Sequence, residues 1–273
     1  MRYQFTRPGR WRKGSGERGT LVAMPRVNPI RLAPDAGPRV RRGYFECRYG
    51  QLHVHHAMPP GGGFEEGMPL LCLHDLSGSG RIFTGFLALA GQERTVYAPD
   101  LPGFGESDPP AAPPALADYA AALGDFLDHM RLRQLAVLAV RAGALLATEL
   151  AIARPAQVNR VVMLSVPLLT EAERQARLSH APTPATADSA YRSPEWPRWA
   201  LAAAAKYPLR ERLAGVTQRA LVLRPRDDLW EATARVREVL VAARLVELEQ
   251  PGVELLSSAP QRIADAVREF LRA

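Results

Sequence analysis

Cysteine is scarce: the 273-residue chain has two, Cys47 and Cys72, both inside strand-like runs. Two scattered cysteines build neither a disulfide framework nor a zinc site, so a reducing cytoplasm is the expected compartment. No stretch approaches the ~20 apolar residues of a membrane span, and no membrane association is expected. Leu21, Val22 and Ala23 form too short an apolar run for a signal-peptide core. No dinucleotide fingerprint or phosphate loop occurs, since Gly61, Gly62 and Gly63 sit in a loop with no helix behind them. No metal-ligand cluster occurs either, so no cofactor and no metal are expected. Finally, no histidine follows His180.

The net charge of +7 raises the question of nucleic acid, but most of it is local. Residues 1–23 hold six basic side chains against Glu17 alone, so they carry five of the seven excess charges. Residues 1–42 are rich in Arg, Gly and Pro without hydrophobic periodicity, and read as a disordered basic segment. A basic arm and a targeting segment are two readings of it. Trp11 is the only tryptophan interleaved with its basic residues, and no nucleic-acid partner is expected. The preferred reading takes Met24 as the true start.

From residue 43 the chain is organised. Runs 44–49 and 51–56 flank Gly50 as an antiparallel hairpin. Residues 59–67 form a loop, and 70–74 a short apolar strand. A helix is expected at 82–90, a strand at 95–98 and a turn-rich loop at 99–108. A helix over 119–132 carries Leu123, Phe126, Leu127 and Met130 on one stripe. Residues 135–140 are apolar throughout, as a strand buried on both faces is, and 158–164 reads as another buried strand. Strand 220–223, helix 229–243, strand 245–248 and helix 260–271 complete an alternation that argues for a mostly parallel sheet covered by helices on both faces. Residues 168–213 interrupt it with a helix over 171–178, a polar stretch, and then Trp196 and Trp199. Such an insertion reads either as a short helical lid over a ligand crevice or as a packed surface excursion.

The chain is organised around residues 134–154 (QLAVLAVRAGALLATELAIAR). A buried strand is followed almost at once by a helix, with only small residues at the junction: Ala139, Ala142, Gly143 and Ala144. This is the outline of a nucleophile elbow, the strand-to-helix turn of the G-x-S-x-G pattern. In that register Arg141 takes the nucleophile's place. A guanidinium stays protonated at any useful pH and cannot attack a carbonyl.

Over most of residues 43–273 the chain resembles the α/β-hydrolase superfamily. The resemblance rests on 70–80 (LLCLHDLSGSG), 98–108 (APDLPGFGESD), 141–144 (RAGA) and 158–165 (VNRVVMLS). It implies an α/β-hydrolase fold and a small-molecule ligand, but the catalytic set is altered. The acid position maps onto Asp228, with Asp227 one register away. The histidine position maps onto Val253, after Gly252. In the oxyanion loop of His74, Asp75 and Leu76, an aspartate replaces the usual glycine. The elbow also loosely resembles a little-understood group of relatives with G-x-H-T-G-A at this turn.

No base is placed for a Ser-His-acid mechanism. His74 is expected below the oxyanion position as a structural residue. His53, His55 and His56 belong to the hairpin, His129 to a helix face and His180 to the insertion. Ser77 and Ser79 lie near the site without a base. A cation at a helix amino end is disfavoured by about 0.3–1 kcal/mol, so Arg141 needs acidic partners, with Asp75, Asp228 and Glu254 the candidates. The outcome is either a closed ion-pair knot or a pocket where Arg141 grips an anion, with Asp75, Trp196 and Trp199 as further ligand-binding candidates. Three functions stay open: a non-hydrolytic binding or accessory protein for a small, anionic ligand, a lyase or isomerase using Arg141 with Asp228 or Asp75, and a hydrolase of an ester or related small molecule.

Overall fold

The structure, a computed structural model, describes residues 5–7, 10–11, 38–60, 67–179, 195–250, 252 and 255–273. The chain divides into two units, residues 1–35 and 36–273. In the first, β1 (Phe5–Arg7) and β2 (Arg10–Trp11) pair antiparallel, although the composition points to no regular structure there. The remainder of that segment, Met24 included, lies outside the described residues.

The second unit is built on an eight-stranded sheet, and its first strand begins at residue 41, two residues before the expected boundary. In chain order the strands are β3 (Arg41–Cys47), β4 (Gly50–Ala57), β5 (Gly67–Leu73), β6 (Arg94–Pro99), β7 (Leu135–Val140), β8 (Val158–Leu164), β9 (Arg219–Pro225) and β10 (Arg244–Leu248). Across the sheet the order is β10-β9-β8-β7-β5-β6-β4-β3. The two pairs involving β4 are antiparallel, and the other pairs are parallel. The hairpin turns through Arg48 and Tyr49, with Cys47 opposite Gly50, and not through Gly50 alone. A two-residue loop closes the ladder, and Gly50 follows at φ +106°, which a side chain would strain.

Alternate residues of the central strands enter two separate cores. Leu71, Leu73, Val137, Ala139, Val161 and Met163 pack on one face under α2 (Leu116–His129) and α3 (Gly143–Ala153). Tyr119, Leu123, Phe126 and Leu127 form the buried stripe of α2. Leu70, Cys72, Leu138, Val140, Val162 and Leu164 face the other way, against α1 (Thr84–Ala90) and α10 (Pro260–Arg272). Burial on both faces explains why β7 reads as an unbroken apolar run, whereas β8 is apolar only from Val161 onward, after exposed Asn159 and half-buried Arg160.

Between β8 and β9 lie α4 (Glu171–Ser179), α5 (Glu195–Lys206) and α6 (Leu209–Leu213). The helix expected over 229–243 is two short ones, α7 (Trp230–Ala234) and α8 (Val236–Val239). They break at Arg235, whose guanidinium holds Glu173 of α4 and the Leu168 carbonyl, and the chain must then turn to enter β10. A last short helix, α9 (Leu255–Ser258), precedes α10. Among the described residues no helix is long and apolar enough to cross a membrane.

The close seat of α3 on the sheet generates a prediction. A methyl group on Gly143 would come within 2.5 Å of the Leu73 carbonyl oxygen and 2.8 Å of that of His74. Both are backbone atoms that cannot give way cheaply. Gly143→Ala is therefore expected to cost about 1–3 kcal/mol, read as a lower denaturation midpoint, despite alanine's better helix propensity.

Candidate functional site

The strand order reverses around β5: the chain passes from β5 to β6 on one side, and β7 returns on the other. Crevices at the carboxyl ends of strands at such a switch are where open α/β sheets place their ligand groups. Here those ends carry Asp75 after β5, Arg141 after β7, Ser165 after β8, and Asp227 and Asp228 after β9.

Arg141 is the elbow. Its φ of +52° turns β7 sharply into α3, a conformation that costs an ordinary L-residue about 1–2 kcal/mol. The turn is held by its own backbone, with Arg141 N–H donating to the Leu164 carbonyl at 2.9 Å and Ala144 N–H to the Arg141 carbonyl at 3.0 Å. The guanidinium then meets Asp228 in a bidentate pair, Nη1 to Oδ1 at 2.8 Å and Nη2 to Oδ2 at 3.0 Å. Asp75 Oδ2 lies 3.5 Å from Nε, and Asp227 Oδ2 3.8 Å from Nη1. Burial alone would lower the Arg141 pKa, but Asp228, Asp75 and Asp227 outweigh it and hold the charge more firmly than usual.

Asp228 is gripped a second time. Arg177, from α4 in the β8–β9 insertion, donates to its Oδ2 at 2.7 Å and to its backbone carbonyl at 3.2 Å. The Asp228 carboxyl is held well below the usual carboxylate range, first by the Arg141 hydrogen bonds, against burial, and then by Arg177. Asp227 is engaged by other partners. Its Oδ2 accepts the Ser165 hydroxyl at 2.6 Å and its Oδ1 the Leu229 N–H at 2.9 Å. Ser165 and Arg177 escape a reading of the sequence as site residues, because both meet the aspartates after β9 only through the tertiary fold.

Asp75 lies in the loop after β5. Its Oδ1 accepts the Leu76 N–H at 2.9 Å and the Ala142 N–H at 3.1 Å, while Ser77 Oγ donates to Oδ2 at 2.8 Å. His74 is fully buried, with Nδ1 donating to the Asp75 carbonyl at 2.7 Å and Nε2 accepting the Leu101 N–H at 3.0 Å. Burial pushes its pKa down, so it is a neutral brace whose two nitrogens are spent. Trp196 is buried against the backbone of Gly103, where an added Cβ would lie 3.1 Å from the indole, and Trp199 meets it edge-on at 4.5 Å. Gly252 packs beside Asp227. Val253, Glu254 and His180 lie outside the described residues.

One group of potential metal donors occurs among the described residues: His53, His55 and Asp100. Its geometry is that of a hydrogen-bonded brace. His53 Nδ1 lies 2.9 Å from Asp100 Oδ2, and the Asp100 oxygens also accept the N–H groups of Gly80 and Glu106. Asp100 thereby ties β4, the loop after β5 and the turn-rich loop after β6 into one frame.

The ion pairs make the region acid-sensitive. Glu173, held by Arg235 and the Thr170 N–H, has its pKa lowered to about 2 from an ordinary 4.5. A folded pKa below the unfolded one contributes stability that is complete above about pH 5 and is lost as the pH falls toward 2. Glu173→Gln should therefore be less stable than the parent at pH 7. Its stability should fall less steeply between pH 5 and 3, with the two chemical-denaturation curves converging at low pH. Arg141→Met should cost about 2–4 kcal/mol at pH 7, because three carboxylates lose their central cation while Asp228 can still rehydrate.

Set against known proteins, residues 68–232 match the family model for the alpha/beta hydrolase fold. An uncharacterized protein of Mycobacterium tuberculosis is 30% identical over 99 residues, a stretch covering 36% of this chain and 29% of that protein. The chain thus spans under a third of that relative's length. Among solved structures, a hydrolase from Pseudomonas aeruginosa superposes with a TM-score of 0.70 at 19% identity, covering 85% of this chain and 98% of the other. The enol-lactonase from Burkholderia xenovorans superposes with a TM-score of 0.69 at 16% identity, covering 85% and 100%. A thermophilic esterase from Thermogutta terrifontis also reaches 0.69 at 16% identity, covering 85% and 98%. At such identities the likeness is one of fold. With the elbow after β7, the sheet order and the family model in agreement, the chain belongs to the alpha/beta hydrolase fold family.

Proposed function

We propose that this protein is a non-hydrolytic member of its family, which binds a small molecule with an anionic group directed to Arg141 and does not turn it over. The observation that carries this reading is the bidentate pair between Arg141 and Asp228. One side chain runs from the nucleophile position to the acid position, and the space where an imidazole would relay a proton is filled by a guanidinium. Acyl transfer needs a hydroxyl or thiol beside a base, and a permanently protonated group is neither. Asp75 adds to this by setting a negative charge on the two N–H groups that would stabilise a developing oxyanion. A carboxylate kept ionised as firmly as Asp228 is also a poor general base.

In this reading the β8–β9 insertion acts as a lid. Arg177 reaches from it to the elbow's acid partner, and Glu173 and Arg235 fasten its first helix to α7. The ion pair of largely buried Glu149 with Arg212, joined by the Tyr207 hydroxyl, fastens its far end to α3. Trp196 then packs the lid down, and half-buried Trp199 is left beside it to meet a ligand.

The purified protein is expected to resist covalent labelling by fluorophosphonate probes and to hydrolyse p-nitrophenyl esters no faster than a heat-denatured control. Arg141→Ser alone should not create an esterase, since among the described residues no histidine with a free ring nitrogen is brought to the new hydroxyl and Asp75 opposes an oxyanion. The triple change Arg141→Ser, Val253→His and Asp75→Gly is the variant in which a trace of activity is expected. Stoichiometric labelling of any serine in the parent protein overturns the proposal.

A further inference from the structure

The brace between His53 and Asp100 leaves one nitrogen over. The His53 ring is almost fully buried, and its Nδ1 donates to Asp100 Oδ2 at 2.9 Å. Its Nε2 is buried as well and meets no hydrogen-bond partner among the described residues. A Glu106 carboxylate oxygen stands 4.0 Å from it, too far for a hydrogen bond. Native folds rarely leave such a nitrogen unmet, because its lost hydration is not repaid. Beside it lies buried His55, whose ring meets that of His53 edge-on at 4.7 Å and makes no hydrogen bond among the described residues. One nitrogen of each histidine and one oxygen of Asp100 lie within 4.8 Å of one another.

Two strands assemble this trio. His53 and His55 are two residues apart in β4 and so project from one face. β4 runs antiparallel to β6 with His55 opposite Ala98, and the Asp100 N–H donates to the His53 carbonyl at 2.8 Å. The sequence displays only the His-x-His pair, and the carboxylate arrives by strand pairing. The donors are also in the states that an ion requires. Burial pushes the His55 pKa down, so its ring is neutral and has a lone pair to give. Burial would raise the Asp100 pKa, but His53, the Glu106 N–H, His74 and the Gly80 N–H outweigh it and keep the carboxylate ionised.

We infer that His53, His55 and Asp100 form a binding site for a divalent transition-metal ion of the zinc class, with Glu106 as the outer carboxylate that orients His53. The ion takes the place of the proton that His53 Nδ1 shares with Asp100. Ligand atoms 2.9 Å apart subtend about 90° at an ion about 2.05 Å from each, and a tetrahedral ion needs them only ~0.4 Å further apart. His55 closes the third side by rotating about its side-chain bonds. The His53 ring proton then sits on Nε2 and faces Glu106, the kind of carboxylate partner that metal-bound imidazoles ordinarily have. The unpartnered nitrogen is thereby accounted for. Two imidazoles and one carboxylate select against magnesium and calcium, which prefer oxygen shells, and favour zinc, cobalt or nickel. Asp100 and Glu106 together match the charge of a divalent ion. Held here, the ion staples β4 to the turn-rich loop after β6.

The test titrates zinc chloride, and cobalt chloride as a spectroscopic reporter, into the untagged full chain after dialysis against a chelator. Calorimetry should find one ion per chain, and bound cobalt should show the visible absorption of a site with nitrogen ligands. With zinc at about ten times its dissociation constant the melting temperature should rise by about 3–6 °C. His55→Gln should keep the fold and weaken binding by more than about 100-fold, beyond the effect of losing an outer partner. Glu106→Gln should keep the stoichiometry and weaken binding by about 10–100-fold. His129→Ala, a change at an exposed histidine of α2, should bind as the parent does. A parent protein that takes up no ion overturns the inference. So does His55→Gln binding as tightly as the parent, or His129→Ala losing the ion. If His55→Gln is unfolded, the imidazole nitrogen resonances of the parent decide: those of His53 and His55 must both shift with zinc, and unchanged rings overturn the inference.

Discussion

The site depends on the ion pair of Arg141 with Asp228. Arg141 sits at a left-handed turn, at the amino end of a helix and mostly out of water, and each of these positions is unfavourable for a cation. The bidentate carboxylate offsets all three at once, because it is charged, planar and matched to the guanidinium fork. Lysine could not do the same: its single ammonium would leave one Asp228 oxygen unmet and lacks the reach of a planar fork.

From that pair the constraints spread outward. Asp228 is shared with Arg177, so the elbow and the β8–β9 insertion are coupled through one carboxylate. Asp227, its neighbour, fastens Ser165, which is itself in a left-handed conformation at φ +56°. Asp75 meets Arg141 from the opposite side and stitches the loop after β5 to the start of α3. The ends of four adjacent strands are thus joined by polar and charged groups at the edge where open α/β sheets place their ligand crevice. Removing a member leaves others without partners, which is why the network resists piecemeal change.

Beneath this layer the scaffold is ordinary. Arg141 lies directly above a sheet whose central strands are apolar on both faces, and Gly143 lets α3 approach the end of β5 within atomic contact. The His53–Asp100 brace holds the turn-rich loop on the far side. The fold therefore keeps the geometry that presents one side chain at the strand-to-helix turn, whatever that side chain is.

Much of this is legible in the order of residues. Strand 135–140 declares itself by a continuous apolar run and strand 158–164 by the apolar run 161–164, and the small residues around Arg141 mark the elbow, since a sharp turn excludes bulk. That the strand-to-helix turn holds a cation needing acidic partners also follows from sequence and elementary electrostatics, as do Asp75 and Asp228 as candidates. Local pattern does not reveal the break at Arg235, which follows from its grip on Glu173, nor the two-residue turn at Arg48 and Tyr49. Nor does it reveal Arg177 and Ser165, whose roles arise only when segments distant in sequence are folded onto one edge of the sheet. Side-chain direction is likewise a tertiary decision. The sequence determined that a carboxylate, Asp75, would stand in the loop after β5. Only the folded chain, by bringing the Leu76 and Ala142 amides to a common point, decided that this carboxylate would turn inward and occupy them.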